Sequence, residues 1–394
     1  MQLQTPPAQQ GVSDWFDAIL VKAIESRASD IHLEPERESW NVRFRIDGVL
    51  YLIEALKFFS QEQISSRIKV LSHMDIAERR LPQDGHFEFA YQGKIYNIRV
   101  SVLPALYGET MVLRIFNRED ILIQLGNLGF TQDQLGTVDR LVCNPSGMIL
   151  ITGPASSGKT TLLYAILNVL NTQERNIITL EDPIEFQMAG IRQTQINEAI
   201  GLTFSKAMRS VVRQDPDIVM LGEIRDADTA QMSMQAALTG IFILSTFHTF
   251  DVPALVSRLI EMGVANSVVA QTVKAVISSR LVRKICFSCK GPYQPNDLEK
   301  RFLEGETFDV SRVQKGKGCS ACQNRGYSGR VGVFEVVYFD EEIRSSIIEK
   351  KPASSIHELL RKKRMKSLRE IVLEKVAEGV TTLDEAIRVI GFAA

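Results

Sequence analysis

Residues 148–170 read MILITGPASSGKTTLLYAILNVL. The apolar run Met148–Thr152 predicts a buried strand, and the residues after the glycine-containing loop have the spacing of a helix. The loop, Gly153–Thr160, matches G-x-x-x-x-G-K-[ST], in which backbone amides and a helix N-terminus bind phosphate oxygens. In this pattern Lys159 reaches the β- and γ-phosphates and Thr160 binds Mg²⁺. The stretch predicts a parallel α/β fold around a nucleotide site. The residues expected to contact the nucleotide are Gly153, Pro154, Ala155, Ser156, Ser157, Gly158, Lys159, Thr160 and Thr161.

Strands and helices continue to alternate after this loop. Apolar runs predict strands at Ile177–Leu180, Ile218–Leu221 and Phe242–Ser245, and helical patterns cover Thr160–Leu170, Ala227–Leu238 and Val268–Leu281. This order is typical of a parallel sheet covered by helices on both faces. A strand near Val331–Tyr338 and helices to the end complete the prediction.

The chain before the loop has a different pattern. Ser13–Arg27 is predicted as a helix with Ser13 as its N-cap, and Gln61–Met74 as a second helix. Trp40–Ile46 alternates apolar and polar residues, and Asp47-Gly48 is a hairpin turn signal into another strand. With three more short strands before residue 117, this part is predicted to be an α+β domain with a mostly antiparallel sheet.

Composition excludes several classes of protein. The 394 residues carry 46 Lys and Arg against 47 Asp and Glu, a net charge of −1, which does not favour a dedicated nucleic-acid binder. No apolar run approaches the roughly 18–20 residues that span a bilayer. The first ten residues, MQLQTPPAQQ, lack the features of a secretory signal.

Two groups of carboxylates follow predicted strands, where ligands of parallel sheets bind. Asp217–Glu223 is an apolar strand ending in Glu223, and Gly222 stands where a magnesium-binding Asp is typical. Glu223 is therefore the carboxylate best placed to polarise an attacking water. The second group, Glu181–Glu185, follows the strand before it.

Four of the five cysteines form two C-x-x-C pairs, Cys286/Cys289 and Cys319/Cys322. Four thiolates give a closed tetrahedral metal site, whose role is structural because no coordination position stays open. A metal ion bound there would hold together a Lys- and Gly-rich segment that is expected to have little hydrophobic core of its own. Cys143 stands apart and is expected to be a buried small hydrophobe.

The motifs together resemble those of a known family. ITLEDPIEF, GLTFSKAMRSVVRQDPDIVMLGEIRDADTA and TGIFILSTFHT resemble the Asp box, Walker B and His box of the GspE/PilB-type ATPases of type II secretion and type IV pilus assembly. ASDIHLEP, RFRIDG, RLPQDG and RVSVLPALYGE are similar to the second N-terminal domain of that family, and GCSACQNRGYSGRVGVFEV resembles its metal-binding insert.

The resemblance implies roles for particular residues. Lys159 and Thr160 are phosphate-loop residues, Glu185 and Glu223 the two acidic catalytic positions, and His248 the sensor of the γ-phosphate. Arg99 and Arg114 match arginine fingers from the N-terminal domain, and each alternates with apolar neighbours on its predicted strand. A guanidinium offered across a domain boundary would neutralise charge developing on the γ-phosphoryl group. The resemblance also selects zinc as the metal of the four cysteines.

The domains follow from the same resemblance. We predict a tail (1–10), an N-terminal α+β domain (11–117), a linker (118–136), a RecA-like P-loop core (137–283), a tetracysteine insert (284–330) and a C-terminal helical segment (331–394). Family members usually carry a further N-terminal domain, so this chain is interpreted as a short member or a fragment.

The function implied is that of a homo-hexameric, cytoplasmic ATPase that acts through an inner-membrane platform protein at the inner face of the bacterial inner membrane. No nucleic-acid partner and no membrane span are expected. A pilus retraction motor is disfavoured because that branch of the family lacks the tetracysteine insert. A RecA-like DNA motor is disfavoured because the chain has almost no net charge. A non-hydrolysing or partner-activated nucleotide-binding scaffold remains an alternative, since Ala155, Ser156 and Ile241 depart from the family pattern.

Overall fold

The structure, a computed structural model, describes residues 11–56, 60–116 and 123–391. The predicted tail (1–10) and the first part of the predicted linker (118–122) lie outside the described residues. The chain divides into two compact units, Met1–Asp120 and Ile121–Ala394. Among the described residues, none of the helices is both long and apolar enough to cross a bilayer.

The described residues of unit 1 form a six-stranded antiparallel sheet and two helices, and the strand order is β3-β2-β1-β6-β5-β4. Its elements are α1 (Val12–Glu25), β1 (Ala28–Pro35), β2 (Trp40–Ile46), β3 (Val49–Leu56), α2 (Gln61–Leu71), β4 (Gln83–Tyr91), β5 (Lys94–Ala105) and β6 (Gly108–Phe116). Both helices bury an apolar face in one core with the strands.

Local sequence accounts for most of unit 1. The alternation predicted for β2 is confirmed, since its apolar residues are buried and its polar ones half-buried. Asp47 and Gly48 have φ of 50° and 85°, the positive values that a tight hairpin turn between β2 and β3 requires. The predicted cap of α1 is wrong: the helix begins at Val12, and Gly11 is its N-cap. β1, which was not predicted from the sequence, lies in the centre of the sheet.

Unit 2 has a seven-stranded sheet in the order β15-β12-β7-β11-β10-β8-β9, and all neighbours are parallel except β12 and β15. The strands of this sheet are β7 (Gly147–Thr152), β8 (Ile177–Glu181), β9 (Arg192–Gln195), β10 (Ile218–Leu221), β11 (Phe242–Phe247), β12 (Val273–Ile285) and β15 (Tyr327–Tyr338). Two further strands of unit 2, β13 (Lys290–Pro292) and β14 (Gln314–Gly316), form a separate two-stranded antiparallel sheet. Its helices are α3 (Gln132–Val142), α4 (Lys159–Leu170), α5 (Phe204–Val211), α6 (Ala227–Leu238), α7 (Val252–Glu261), α8 (Asn266–Thr272), α9 (Asp297–Phe302), α10 (Glu341–Ile348), α11 (Ala353–Lys362), α12 (Leu368–Ala377) and α13 (Leu383–Ile390).

The predicted burial of this sheet on both faces is confirmed. On β7, Met148 and Leu150 belong to the core beneath α5–α8, whereas Ile149 and Ile151 belong to the core beneath α3 and α4. Because successive strand residues point to opposite faces, a strand covered on both sides is apolar throughout.

The predicted helix over Val268–Leu281 is wrong in its second half. α8 ends at Thr272, and β12 then runs through the rest of that range. Val276 and Ile277 are adjacent and both fully buried, one on each face of the sheet. A continuous apolar run carries no periodicity that distinguishes a buried strand from a buried helix.

Two other segments are better packed than expected. Leu125, Leu128 and Phe130, within the predicted linker, are buried in the core of unit 2. Phe302 and Val313, in the cysteine segment, are fully buried in a core that they share with α12 and α13. The cysteine segment therefore has apolar contacts of its own, contrary to expectation.

Candidate functional site

The phosphate loop joins the end of β7 to the start of α4. Gly153 has φ of 145°, and a Cβ added there would lie 2.5 Å from the Ser279 carbonyl oxygen, so only glycine fits. Gly158, with φ of 90°, is the N-cap of α4 and offers no side-chain cap to its first amides. These N–H groups and the positive end of the helix dipole suit an anion.

Ser156 holds the left-handed conformation in this loop, with φ of 59°. A residue with a Cβ costs about 1–2 kcal/mol in that region. The family pattern that this loop resembles has glycine in place of Ser156, and glycine adopts positive φ without that cost.

Lys159 is the buried cation of the loop. Its Nζ donates to the carbonyl oxygens of Gly153 and Pro154, at 2.8 Å each. Burial lowers the pKa of Lys159 to about 8, against the attraction of Glu223. Within the described chain the neighbouring Ser157 Oγ is buried and has no hydrogen-bond partner. A buried ammonium, an unsatisfied hydroxyl and uncapped amides form a donor set that fits phosphate.

The carboxylate of Glu223 lies just beyond the end of β10, where three adjacent strands bring their C-terminal residues together. His248, after β11, places Nε2 3.1 Å from Glu223 Oε2. Arg225 donates to Glu223 Oε1 and lies 3.6 Å from Asp182 Oδ2, just after β8. Burial alone would raise the pKa of Glu223. The hydrogen bond and charge of Arg225, together with the charge and hydrogen bond of His248, have the larger effect, so the pKa of Glu223 is lowered. Glu223 is therefore held as a carboxylate.

A second network lies under the predicted acidic position Glu185. Tyr164, on α4, donates its hydroxyl proton to the buried carboxylate of Glu181, which also accepts from Gln193 Nε2 at 3.0 Å. The backbone N–H of Phe186 donates to the Tyr164 hydroxyl at 3.4 Å. The phosphate-loop helix is thus hydrogen-bonded to the backbone beside Glu185.

The remaining predicted positions lie at the edge of this site. Thr160 is exposed in the first turn of α4, next to the half-buried Thr161. Ile241 precedes β11 and is buried in the core. His248 follows the other end of β11. Ile241 and His248 are therefore about 20 Å apart along the strand.

Residues of β12 contact the phosphate loop, and these contacts were not predicted because β12 was predicted as a helix. Thr152 Oγ1 donates to Ser278 Oγ at 3.1 Å, and Ser279 Oγ donates to the Ser157 carbonyl oxygen at 2.7 Å. A Cβ on Gly158 would lie 3.5 Å from the Leu281 side chain. No residue pattern marked these serines, since only the pairing of β12 with β7 brings them to the loop.

Arg99 and Arg114 lie in unit 1, on β5 and β6. Arg114 Nε donates to Asp30 Oδ1 at 2.9 Å. The guanidinium carbon of Arg99 lies 4.3 Å from the centre of the Phe116 ring. Arg99 lies between the buried Ile98 and Val100, and Arg114 lies between the buried Leu113 and the half-buried Ile115, in the predicted alternation.

The four paired cysteines converge in unit 2, with all four Sγ atoms within 4.8 Å of one another. Sγ–Sγ distances of 3.8 Å for Cys286–Cys319 and 3.9 Å for Cys289–Cys322 are far too long for disulfides. They match the edge of about 3.8 Å of a tetrahedron with metal–sulfur bonds of about 2.3 Å. The residues therefore fit a tetrahedral metal ion. Cys143, the C-cap residue of α3, is exposed rather than buried as expected.

A family model described as "Type II/IV secretion system protein" matches residues 8–388. Type II secretion system protein E of Pseudomonas aeruginosa is 42% identical over 376 residues, which are 95% of this chain and 74% of that protein. Type IV pilus assembly ATPase PilB of Myxococcus xanthus is 42% identical over 373 residues, 94% of this chain and 66% of that protein.

Solved structures show the same RecA-like fold. The Legionella pneumophila ATPase DotB has a TM-score of 0.73 at 21% identity and covers 99% of this chain and 98% of its own. The pilus retraction motor PilT with bound ADP has a TM-score of 0.64 at 23% identity, over 94% of this chain and 96% of its own. The resemblance inferred from the motifs is confirmed by the family match along almost the whole chain: it belongs to the type II/IV secretion system protein family.

Proposed function

We propose that this chain is an ATPase that hydrolyses ATP to ADP and phosphate. The observation that carries the proposal is the convergence of Glu223, His248 and Arg225 at the strand ends of the sheet whose β7 leads into the phosphate loop. Lys159 binds the β- and γ-phosphates, and Glu223, held ionised, orients and polarises the attacking water. Glu185 is the second acidic position, and His248, hydrogen-bonded to Glu223, senses the γ-phosphate.

The loop residues would hold Mg²⁺ through the Thr160 hydroxyl, where the ion would neutralise phosphate charge. Arg99 and Arg114 supply positive charge to the γ-phosphoryl group. Their supporting features are a shared sheet face and a carboxylate, Asp30, that orients Arg114. A zinc ion held by Cys286, Cys289, Cys319 and Cys322 would stabilise the insert.

We further propose that the chain works as a homo-hexamer on the cytoplasmic side of the bacterial inner membrane. There it drives type II protein secretion or type IV pilus assembly through a platform protein. The support is the identity to a type II secretion protein E and to a type IV pilus assembly ATPase.

The experiment is steady-state phosphate release from Mg-ATP by the purified chain, beside Glu223→Gln and Lys159→Ala. We expect turnover that both substitutions abolish. Glu174→Gln, an exposed carboxylate after α4, is the matched control and should retain full turnover. Release that is equal in all four proteins contradicts the ATPase.

A non-hydrolysing scaffold is the second candidate, and the strained Ser156 in the loop favours it. It predicts nucleotide binding with no phosphate release. Restoring glycine with Ser156→Gly distinguishes an ATPase slowed by that strain, whose turnover should rise, from a scaffold, whose release stays at background.

A further inference from the structure

A nearly buried guanidinium, that of Arg280 on β12, lies against the phosphate loop. The residue is 8% exposed. Its Nη1 donates to the Ser279 carbonyl oxygen at 2.9 Å and lies 3.2 Å from where a Cβ of Gly153 would be. Lys159 Nζ donates to the carbonyl oxygen of the same Gly153. Two cationic side chains therefore lie beside one residue of the loop.

The charge of Arg280 has little compensation within the protein. In the described ranges it forms no ion pair with a carboxylate, whereas Arg283 on the same strand lies 2.8 Å from Glu385. Glu335, opposite Ser278 on β15, attracts Arg280 at longer range. Burial, with the charge of Asp251, raises the pKa of Glu335 to about 7, so this carboxyl is only partly ionised at neutral pH.

A buried cation without a paired anion is costly for a folded protein. Burial lowers the pKa of Arg280. Burial also lowers the pKa of Lys159, and the charge of Arg280 contributes to that decrease. An anion beside Gly153 would relieve both. Titratable groups whose pKa is shifted by burial and a nearby charge cluster at functional sites.

We propose that Arg280 is a further phosphate-binding residue of the nucleotide site, acting with Lys159 on the polyphosphate of a nucleoside di- or triphosphate. This inference rests on the proposed nucleotide function. Arginine suits the task because its guanidinium stays charged when buried and presents several N–H donors in a fixed fork. The Phe250 ring, 6.0 Å from the guanidinium, connects Arg280 to the segment that carries His248.

The alternative is that Arg280 has only a structural role, in which its hydrogen bond to the Ser279 carbonyl oxygen stabilises the conformation of the loop. The two roles differ in what removal of the charge does. A phosphate-binding cation is unfavourable in the free protein and favourable in the complex, so its loss weakens binding but does not destabilise the free protein. A structural hydrogen bond is favourable both in the free protein and in the complex, so its loss destabilises the free protein.

The test is calorimetric titration of the full chain with Mg-ADP, with inorganic pyrophosphate as a competitor, alongside thermal unfolding without nucleotide. Arg280→Gln should weaken ADP and pyrophosphate binding about 10- to 100-fold, as expected for charge-assisted hydrogen bonds. Its melting temperature without nucleotide should be unchanged or higher. Arg280→Lys, which keeps the charge but loses the fork, should lose less affinity and serves if the Gln variant does not fold. Lys284→Gln, an exposed cation on the same strand, should bind as the unmodified chain does.

Several results would overturn the inference. Unchanged affinity of Arg280→Gln, with or without a lower melting temperature, assigns Arg280 to structure and leaves the nucleotide function intact. Weakened ADP binding with unchanged pyrophosphate binding excludes the phosphate assignment. If the unmodified chain binds neither ligand, the proposed function fails first and the inference with it.

Discussion

Arg99 and Arg114 are directly opposite each other in the register of β5 and β6, so two guanidinium groups project from one face of the sheet. Like charges in that arrangement repel. The next position across the sheet is Asp30 on β1, which accepts the Arg114 hydrogen bond and lies 3.8 Å from Arg45. Asp30 thus lies between two arginines and orients one of the two proposed arginine fingers.

Asp30→Asn should reduce ATP turnover by about tenfold, because Arg114 loses the charge that orients it. The free energy of unfolding should change by less than about 1 kcal/mol, since Arg114 is 61% exposed and solvent screens the pair. Phosphate release and urea unfolding measure the two effects. The control, Glu88→Gln, removes an exposed carboxylate from β4 of the same sheet. Full turnover in Asp30→Asn would contradict an orienting role.

Nucleotide binding should take up a proton at Lys159. Its pKa is about 8 in the free protein, and phosphate nearby favours the charged form, so the pKa rises in the complex. Affinity is then fully present below pH 8 and declines as pH rises towards the pKa of the complex. Calorimetry of Mg-ADP binding at pH 8.5, in buffers of different ionisation enthalpy, measures the uptake. Equal apparent enthalpies in all buffers would show that Lys159 is already protonated.

Arg225→Gln should move the acid limb of the turnover–pH profile to higher pH. Arg225 is the main group that opposes the effect of burial on Glu223, so without it burial dominates and the pKa of Glu223 rises. A carboxylate that must be ionised then becomes active only at higher pH. Arg213→Gln, which lacks a carboxylate partner among the described residues, should keep the original profile.

Tyr164→Phe should cost about 1–3 kcal/mol of unfolding free energy, because buried Glu181 loses a hydrogen-bond donor. Turnover should fall as well, since the Phe186 N–H beside Glu185 loses its acceptor. Urea unfolding and phosphate release on the same samples measure both. A loss of stability with unchanged turnover would separate this network from Glu185.

Removal of the proposed zinc should unfold the insert and expose the core that it shares with α12 and α13. Cys289→Ser should lower the metal content per chain and lower the melting temperature, and a strong chelator should do the same to the unmodified chain. Cys143→Ser changes an exposed cysteine outside the cluster and should do neither. A chain that melts at the same temperature with and without chelator would exclude a structural metal.

Much of this protein could be predicted from short stretches of sequence. The strand–loop–helix of residues 148–170, the hairpin at Asp47-Gly48 and the pairing of cysteines depend on near neighbours. In each case the residue types restrict the backbone: β-branched and apolar runs favour buried strands, glycine permits positive φ, and C-x-x-C spacing lets two thiolates bind one ion.

Tertiary structure decided what short-range patterns cannot encode. β12 is a strand because it pairs with β7 and β15, and that pairing brings Ser278, Ser279 and Arg280 to the phosphate loop. Glu223, His248 and Asp182 meet because β8, β10 and β11 are neighbours in the sheet, although they are far apart in the chain. The physical reason is that local sequence sets the backbone conformation of each segment, whereas strand order depends on how all the apolar faces are buried at once.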